Sequence, residues 1–259
     1  MANITCYTMI GEDVGLLDWC ITNARERAGV EHDWLVINWQ DIAPSKGQKE
    51  NYKSIKDWCK NNSVKYVRFI QPVKPDSDTT QWFLKNLYDC FNLGYEKAET
   101  KWVARLGSDQ FFSQGWLAAL MNCRSRWGDR AIYHTWTVES PIAKGSRHEV
   151  RDFGSDWQSF DPVQFDQYAD HLIHKYASRL ALSTHECGLW YNHPSRGQQL
   201  RPDGCTWLQT KDLWEEFGPM DDKLNDESVT GDVAYMDRIY DGGVPGFLVP
   251  PSSTFHLVR

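Results

Sequence analysis

Two hydrophobic periods alternate along the chain. Residues 3–10, "NITCYTMI", are β-branched and apolar and stop at Gly11-Glu12-Asp13, so they read as a first strand. The next segment, "DVGLLDWCITNARER", places apolar residues at Val14, Leu17, Cys20 and Ile21, the spacing of one helix face. The same reading predicts a strand over 33–41, a helix over 51–62 and a third strand over 64–72, closed by Pro72. Asp78 to Thr80 offer a cap for a helix running to Ala98, and a fourth strand follows at 101–106.

Strands and helices that alternate through short connections form right-handed crossovers. The expectation is therefore an α/β fold with a mostly parallel central sheet flanked by helices. Ligands of such sheets sit beyond the carboxyl ends of the strands. The segments "TMIGED", "NWQD", "QPVKPD" and "GSDQ" all fall at expected strand ends, which puts them on one rim. From 138 to 203 the periodicity weakens and Gly, Pro, Asp and Ser accumulate, with one helix expected at 164–180. This stretch reads as an insertion shaping the acceptor side of a site. The whole of 1–259 is expected to be one domain, with a nucleotide-binding half at 1–120 and an acceptor and catalytic half at 204–259.

Composition narrows the picture modestly. A chain of 259 residues, 41% hydrophobic, can bury a substantial core. A net charge of −7 argues against a polyanion binder that uses its whole surface. A local basic patch stays open, and Lys144, Arg147, Arg151 and Arg196 in the insertion are candidates for one. No apolar run approaches ~18 residues and the first residues read as a strand, so a cytoplasmic location is expected. The seven cysteines are widely spaced and contain no C-x-x-C, which suits buried free thiols. Thirteen Trp and eleven Tyr exceed what a motif requires; most serve the core, and flat rings can also stack on sugars or bases.

The first candidate for chemistry is "WVARLGSDQFFSQGW" at 102–116. An apolar strand ends in the lone carboxylate Asp109, with small residues before it and aromatics after it. A strand-terminal Asp can cap a turn, or it can present a charge to a ligand on the rim. Other constellations fail. "THECG" at 184–188 lacks the second His of H-E-x-x-H, and "HLIHK" at 171–175 offers two His without a third ligand. No Walker A loop, G-x-G-x-x-G or G-x-S-x-G is present.

Taken with the segment 204–259, the chain resembles the family-2-like glycosyltransferases of the GT-A fold. Ala104-Arg105-Leu106-Gly107-Ser108-Asp109-Gln110 stands where that family has a pattern such as A-R-M-D-A-D-D. "WEEFGPMDDKL" at 214–224 matches its G-G-F-D-E type turn. Gly231-Asp232-Val233-Ala234-Tyr235-Met236-Asp237-Arg238 matches its E-D-x-x-x-x-x-R, and Gly242-Gly243 and His256 complete the order. Asn86 falls where the family often has an Asn in the preceding helix. The likeness covers roughly 1–120 and 204–259. It departs at Gly107 and Gln110, which replace carboxylates, and at Gly231, which replaces the acid before Asp232.

The resemblance implies transfer of a sugar from a nucleotide diphosphate to an acceptor hydroxyl, with inversion and with help from a divalent metal, Mn²⁺ or Mg²⁺. Asp109 and His256 are the implied metal ligands and Asp232 the implied general base, a role that competes with N-capping of its own helix. Thr8, Glu12, Asp41, Arg105, Ser108 and Trp207 are the implied contacts of the donor, a UDP-sugar being favoured, and Trp116 is a further candidate wall. Asp237 and Arg238 read as packing or surface residues. The acceptor stays open among saccharide, lipid-linked sugar, small molecule, protein and modified nucleic acid. The lost carboxylates keep a second reading alive, a weakened nucleotide- or sugar-binding module; a nucleotidyltransferase is a third.

Overall fold

The structure is a computed structural model. It describes residues 3–72, 79–141, 149–177, 182–183, 190–193, 197–200, 206–220 and 231–257. The first half runs β1 (Ile4–Ile10), α1 (Val14–Glu26), β2 (Asp33–Gln40), α2 (Lys46–Asn61), β3 (Lys65–Ile70), α3 (Thr79–Lys97) and β4 (Trp102–Leu106). It continues through β5 (Gln110–Phe112), α4 (Trp116–Trp127) and β6 (Ile132–Glu139). The inserted region carries β7 (Glu149–Val150), α5 (Pro162–Lys175), β8 (Leu182–Ser183), β9 (Trp190–His193) and β10 (Gly197–Leu200). The chain closes with β11 (Trp207–Thr210), α6 (Lys211–Phe217), α7 (Gly231–Asp241) and β12 (Gly246–His256).

The main sheet has the strand order β3-β2-β1-β4-β11-β6-β12-β5. Pairs β3/β2, β2/β1, β1/β4 and β6/β12 are parallel, whereas β11 runs antiparallel to both of its neighbours. The sheet is thus mostly parallel, as expected. Helices α1, α2, α4 and α5 cover one face over a core that includes Cys6, Leu17, Trp34 and Trp116. Helices α3, α6 and α7 cover the other, over Tyr7, Ile37, Tyr95 and Tyr235.

Local sequence explains the element ends. Asp13 caps α1 by accepting from the backbone N–H of Leu16, and Ser45 with Gln48 forms a reciprocal capping box on α2. That box starts α2 five residues before the helix expected from periodicity, because the first turn is polar throughout. Within α3, Gly94 lies so close to β1 that a Cβ would stand 2.2 Å from the Tyr7 ring. The Tyr7 hydroxyl then donates to the Phe91 carbonyl at 3.0 Å, which fixes the helix against the strand.

Five cysteines, Cys6, Cys20, Cys59, Cys90 and Cys123, are buried free thiols; Cys187 and Cys205 lie outside the described residues. No helix among the described residues is long and apolar enough to cross a membrane. The described part of the insertion packs Phe153, Phe160 and Phe165 against Phe111 and Phe255, with Arg27 held to Asp166 at 2.6 Å. This cluster lies on the Phe255 face of β12, opposite the face that His256 presents, because neighbouring strand residues point opposite ways.

Candidate active site

The strand order reverses between β1 and β4, since β2 and β3 extend the sheet one way from β1 and β4 the other. Crevices at such switch points are where α/β sheets bind ligands. Here a cavity of about 270 Å³ opens at the carboxyl ends of both strands, lined by Met9, Arg105, Ser108, Asp109, Asp232 and His256 among others. A larger cleft of about 700 Å³ lies between α3 and residues 217–220. Size does not choose between them; the smaller one gathers the ionisable groups that the sequence singles out.

Asp109 and His256 are brought together by the sheet itself. His256 pairs with Gln110 across β12/β5 and with Glu139 across β12/β6, and the Leu257 N–H donates to the Asp109 carbonyl at 2.9 Å. The result places His256 Nε2 3.5 Å from Asp109 Oδ1 and His256 Nδ1 3.6 Å from Glu139 Oε1. Burial disfavours the imidazolium, but the two flanking carboxylates outweigh it and push the His256 pKa up to about 10. Glu139 was not singled out from sequence. It ends a strand, as Asp109 nearly does, and that shared position is the signal that could have found it.

The turn carrying Asp109 is locked from inside. Gln110, nearly fully buried, accepts through Oε1 from the Gly107 N–H at 2.8 Å and from the Thr206 hydroxyl at 2.6 Å. A Cβ at Gly107 would stand 2.8 Å from Asp109 Oδ1. Two of the three departures from the resembled pattern thus have a structural role: Gln110 clasps the turn and Gly107 makes room for the carboxylate.

Asp232 reaches the cavity from the opposite side. It is the second residue of α7, inside the first turn, and is 7% exposed. Its Oδ1 accepts from the Tyr88 hydroxyl at 3.2 Å, a partner on α3 that the sequence did not flag. Helix α7 begins at Gly231, so Asp232 is not its N-cap; a negative side chain in the first turn is still favourable at the positive end of a helix.

Arg105 lies between two ring faces, with its guanidinium carbon 3.9 Å from the Trp207 ring centre and 4.1 Å from that of Phe91. Such a sandwich holds the planar group in one orientation. Trp207 is fully buried and donates its Nε1 hydrogen to Tyr95. It supports Arg105 from below and offers no face to a sugar. Trp116 is likewise core, donating to the Ala24 carbonyl.

The remaining candidates separate. Thr8 is fully buried and shares the Cys6 and Ile10 face of β1, whereas Met9 lines the cavity; the strand runs on to Ile10, so Thr8 does not reach the rim. Glu12 and Asp41 do not line the cavity; Gln48 links them, its amide donating to both carboxylates, and the Asp41 N–H donates to the Tyr52 hydroxyl. Gln71 also donates to Asp41 and accepts from Trp39. Asn86 is buried and turns back to the Trp82 carbonyl of its own helix. Arg238 holds the carbonyls of Phe217 and Pro219. Arg151 pairs with Glu149, while Lys144, Arg147, Arg196 and "THECG" lie outside the described residues. His171 and His174 are exposed on α5.

No group of three or more His, Cys, Asp or Glu side chains forms a metal cage among the described residues. Asp109 and His256 nevertheless fit as a two-ligand platform, provided the incoming ion displaces the proton that the carboxylates hold on the imidazole. Each keeps about a quarter of its side chain exposed, 25% and 22%, and Glu139 stands behind the second His nitrogen as metal-bound histidines commonly require. Mn²⁺ and Mg²⁺ tolerate so sparse a protein shell when phosphate oxygens and water complete it.

The sheet order, the helices on both faces and the site at the β1/β4 crevice define a GT-A-like α/β fold. Neither a family profile nor a curated protein matches the chain by sequence. Among solved structures it is similar to that of S. aureus TarS, with a TM-score of 0.55 and 8% identity over 99% of this chain. The chain spans 37% of the TarS chain. As many as 244 solved chains match this fold, so the likeness establishes architecture and does not select a reaction.

Proposed function

We propose that this protein transfers a glycosyl group from a nucleotide-diphosphate sugar to an acceptor hydroxyl. The observation that carries the reading is the convergence of Asp109, His256, Asp232 and Arg105 on one cavity at the sheet's switch point. The GT-A-like architecture shared with TarS, a glycosyltransferase, accommodates this reading without selecting it.

Sugar transfer needs a base for the acceptor hydroxyl, neutralisation of the departing diphosphate and fixed alignment. Asp232 takes the proton: its carboxylate lines the cavity and is oriented by Tyr88. Arg105, held flat between Phe91 and Trp207, meets the phosphates. Asp109 and His256 would hold Mn²⁺ or Mg²⁺, with Glu139 orienting the imidazole; when bound, the ion neutralises phosphate charge. Ser108 borders the same cavity, and Asp41 is the residue assigned to accept an N–H of a uracil-type base, which favours a UDP-sugar; a base there would compete with the amides of Gln48 and Gln71 for its oxygens.

A screen of nucleotide sugars for Mn²⁺-dependent binding and donor hydrolysis, with Asp109→Ala beside the wild type, tests this directly. Metal-dependent turnover lost in the variant supports it. Glycine and glutamine at 107 and 110 favour a second reading, a binding module without turnover. Tight donor binding with no hydrolysis, unchanged in Asp232→Asn, would select that reading instead.

A further inference from the structure

Helix α2 carries Lys46, Lys49, Lys53, Lys56 and Lys60. At 100° per residue these five fall within an arc of about 80° and follow one another every ~4.5–6 Å along the axis. All five are exposed. The buried residues of the helix are Tyr52, Ile55 and Cys59, so the lysines form a flank beside the packed face. Lys46 approaches Glu50 at 4.0 Å and Lys53 holds Asp57 at 2.5 Å. Lys49, Lys56 and Lys60 make no ion pair with a described residue.

The stripe starts at a groove. A depression of about 570 Å³ is lined by Gln40, Ile42, Pro44, Lys49, Tyr52 and Arg68. Arg68 lies on β3, the outermost strand of the sheet, and it too is without an ion pair among the described residues. Tyr52 is 6% exposed; its oxygen accepts from the Asp41 N–H at 3.1 Å, which leaves its own hydrogen to donate. The nearby acids keep their charge, but they bind neutral amides and pair with neither Lys49 nor Arg68. Asp41 accepts from Gln48 and Gln71, and Glu12 from Gln48 and Asn51. An ammonium, a guanidinium and a hydroxyl facing one groove match the several acceptor oxygens of a phosphate. The exposed Ile42 and the half-buried Pro44 give an organic part of the same ligand an apolar wall.

We propose that this groove and the α2 flank bind a linear phosphate-bearing ligand. One phosphate seats between Lys49 and Arg68, with Tyr52 donating to it, and further phosphates follow Lys56 and Lys60 along the helix. On a chain of net charge −7 this is a local basic surface, on a different element from the insertion where sequence placed its candidates. The flank presents no exposed aromatic ring; Trp58 is partly buried and donates to Asp18. Single-stranded nucleic acids rely on such rings for base stacking, so a polymer without bases is the better match. The inference does not rest on glycosyl transfer.

Titration calorimetry at low ionic strength tests it with three probes: inorganic phosphate, a linear polyphosphate long enough to follow the helix, and an oligothymidylate. Polyphosphate is expected to bind at least tenfold more tightly than inorganic phosphate, with affinity falling as salt is added. Lys49→Ala with Arg68→Ala should weaken both by tenfold or more. Lys56→Ala with Lys60→Ala should remove the polyphosphate advantage and spare inorganic phosphate. All four side chains are exposed, so circular dichroism should be unchanged. Absent binding, or binding that survives Lys49→Ala with Arg68→Ala, would overturn the proposal. Oligothymidylate binding as tightly as polyphosphate would overturn the ligand class. None of these outcomes depends on a nucleotide sugar, so failure here is separable from failure of the transferase reading.

Discussion

Asp109 and His256 stand 3.5 Å apart because β12 returns antiparallel to β5 and sets His256 opposite Gln110. The pair is a product of strand register, so it tolerates no slip. Replacing either residue should abolish metal-dependent donor binding while leaving the fold intact, since both are partly exposed. Calorimetry with a nucleotide diphosphate and Mn²⁺ reads the loss, and the thermal midpoint reads the fold. Retained Mn²⁺ dependence in Asp109→Ala would remove this residue from the site.

Tyr88 and Asp232 offer a sharper separation of roles. Asp232→Asn should lower turnover by about 10²–10⁴-fold, the usual worth of a general base, with donor affinity little changed. Tyr88→Phe removes one hydrogen bond to a charged group, worth about 1.5–3 kcal/mol, and should cost kcat roughly 10–100-fold. Steady-state kinetics distinguishes the two outcomes; a Tyr88→Phe enzyme with an unchanged kcat denies it any positioning role.

His134 makes acid stability dependent on a core residue. Burial, with the Arg105 charge adding to it, lowers its pKa from 6.5 to about 3. Between those values the unfolded chain binds a proton that the folded chain refuses, so the contribution is present above pH 6.5 and lost as the pH falls toward 3. Urea midpoints measured from pH 7 to pH 4 should fall for the wild type and fall less steeply for His134→Gln. Parallel profiles would mean that the slope comes from carboxylates.

Gly94→Ala decides between two opposing effects. Helix propensity alone would stabilise the variant by about 1 kcal/mol. A new Cβ 2.2 Å from a buried ring should instead destabilise it, by about 1–3 kcal/mol of overpacking. The net expectation is a loss, read as a lower urea midpoint at constant slope. A gain would show that α3 can lift from β1.

Restoring the family's acid at position 110 should not help. Gln110→Glu would bury a charge in place of an amide that already satisfies Gly107 and Thr206. Lower stability without tighter Mn²⁺ binding is expected; improved metal affinity at unchanged stability would show that the clasp is dispensable.

Much of the framework was legible in the chain because β1, β2 and β4 are largely buried on both faces and the helices keep one apolar stripe. The β1–β4 half follows directly from those two periods. Antiparallel β11 was not legible: "WLQT" is too short for periodicity to assign, and its place between β4 and β6 depends on long-range pairing. The site divides in the same way. Asp109, Asp232 and His256 stand out because ordered motifs mark them, and Arg105 because it interrupts an apolar strand. Thr8 and Trp207 misled for one reason: a residue near a strand end can face either side, and a one-residue step reverses it. Glu139 and Tyr88 carry no local signature, since their importance comes only from what lies across the sheet or on the neighbouring helix.

Phe91 belongs to two assemblies at once. Its carbonyl receives the Tyr7 hydroxyl, and its ring covers one face of Arg105. The spacing between helix and strand is thereby transmitted to the guanidinium. Damage to the interior beneath the crevice would register first as misaligned cargo and only afterwards as a melted protein, so stabilising second-site changes around Tyr7 and Gly94 are where suppressors of a sluggish variant should be sought.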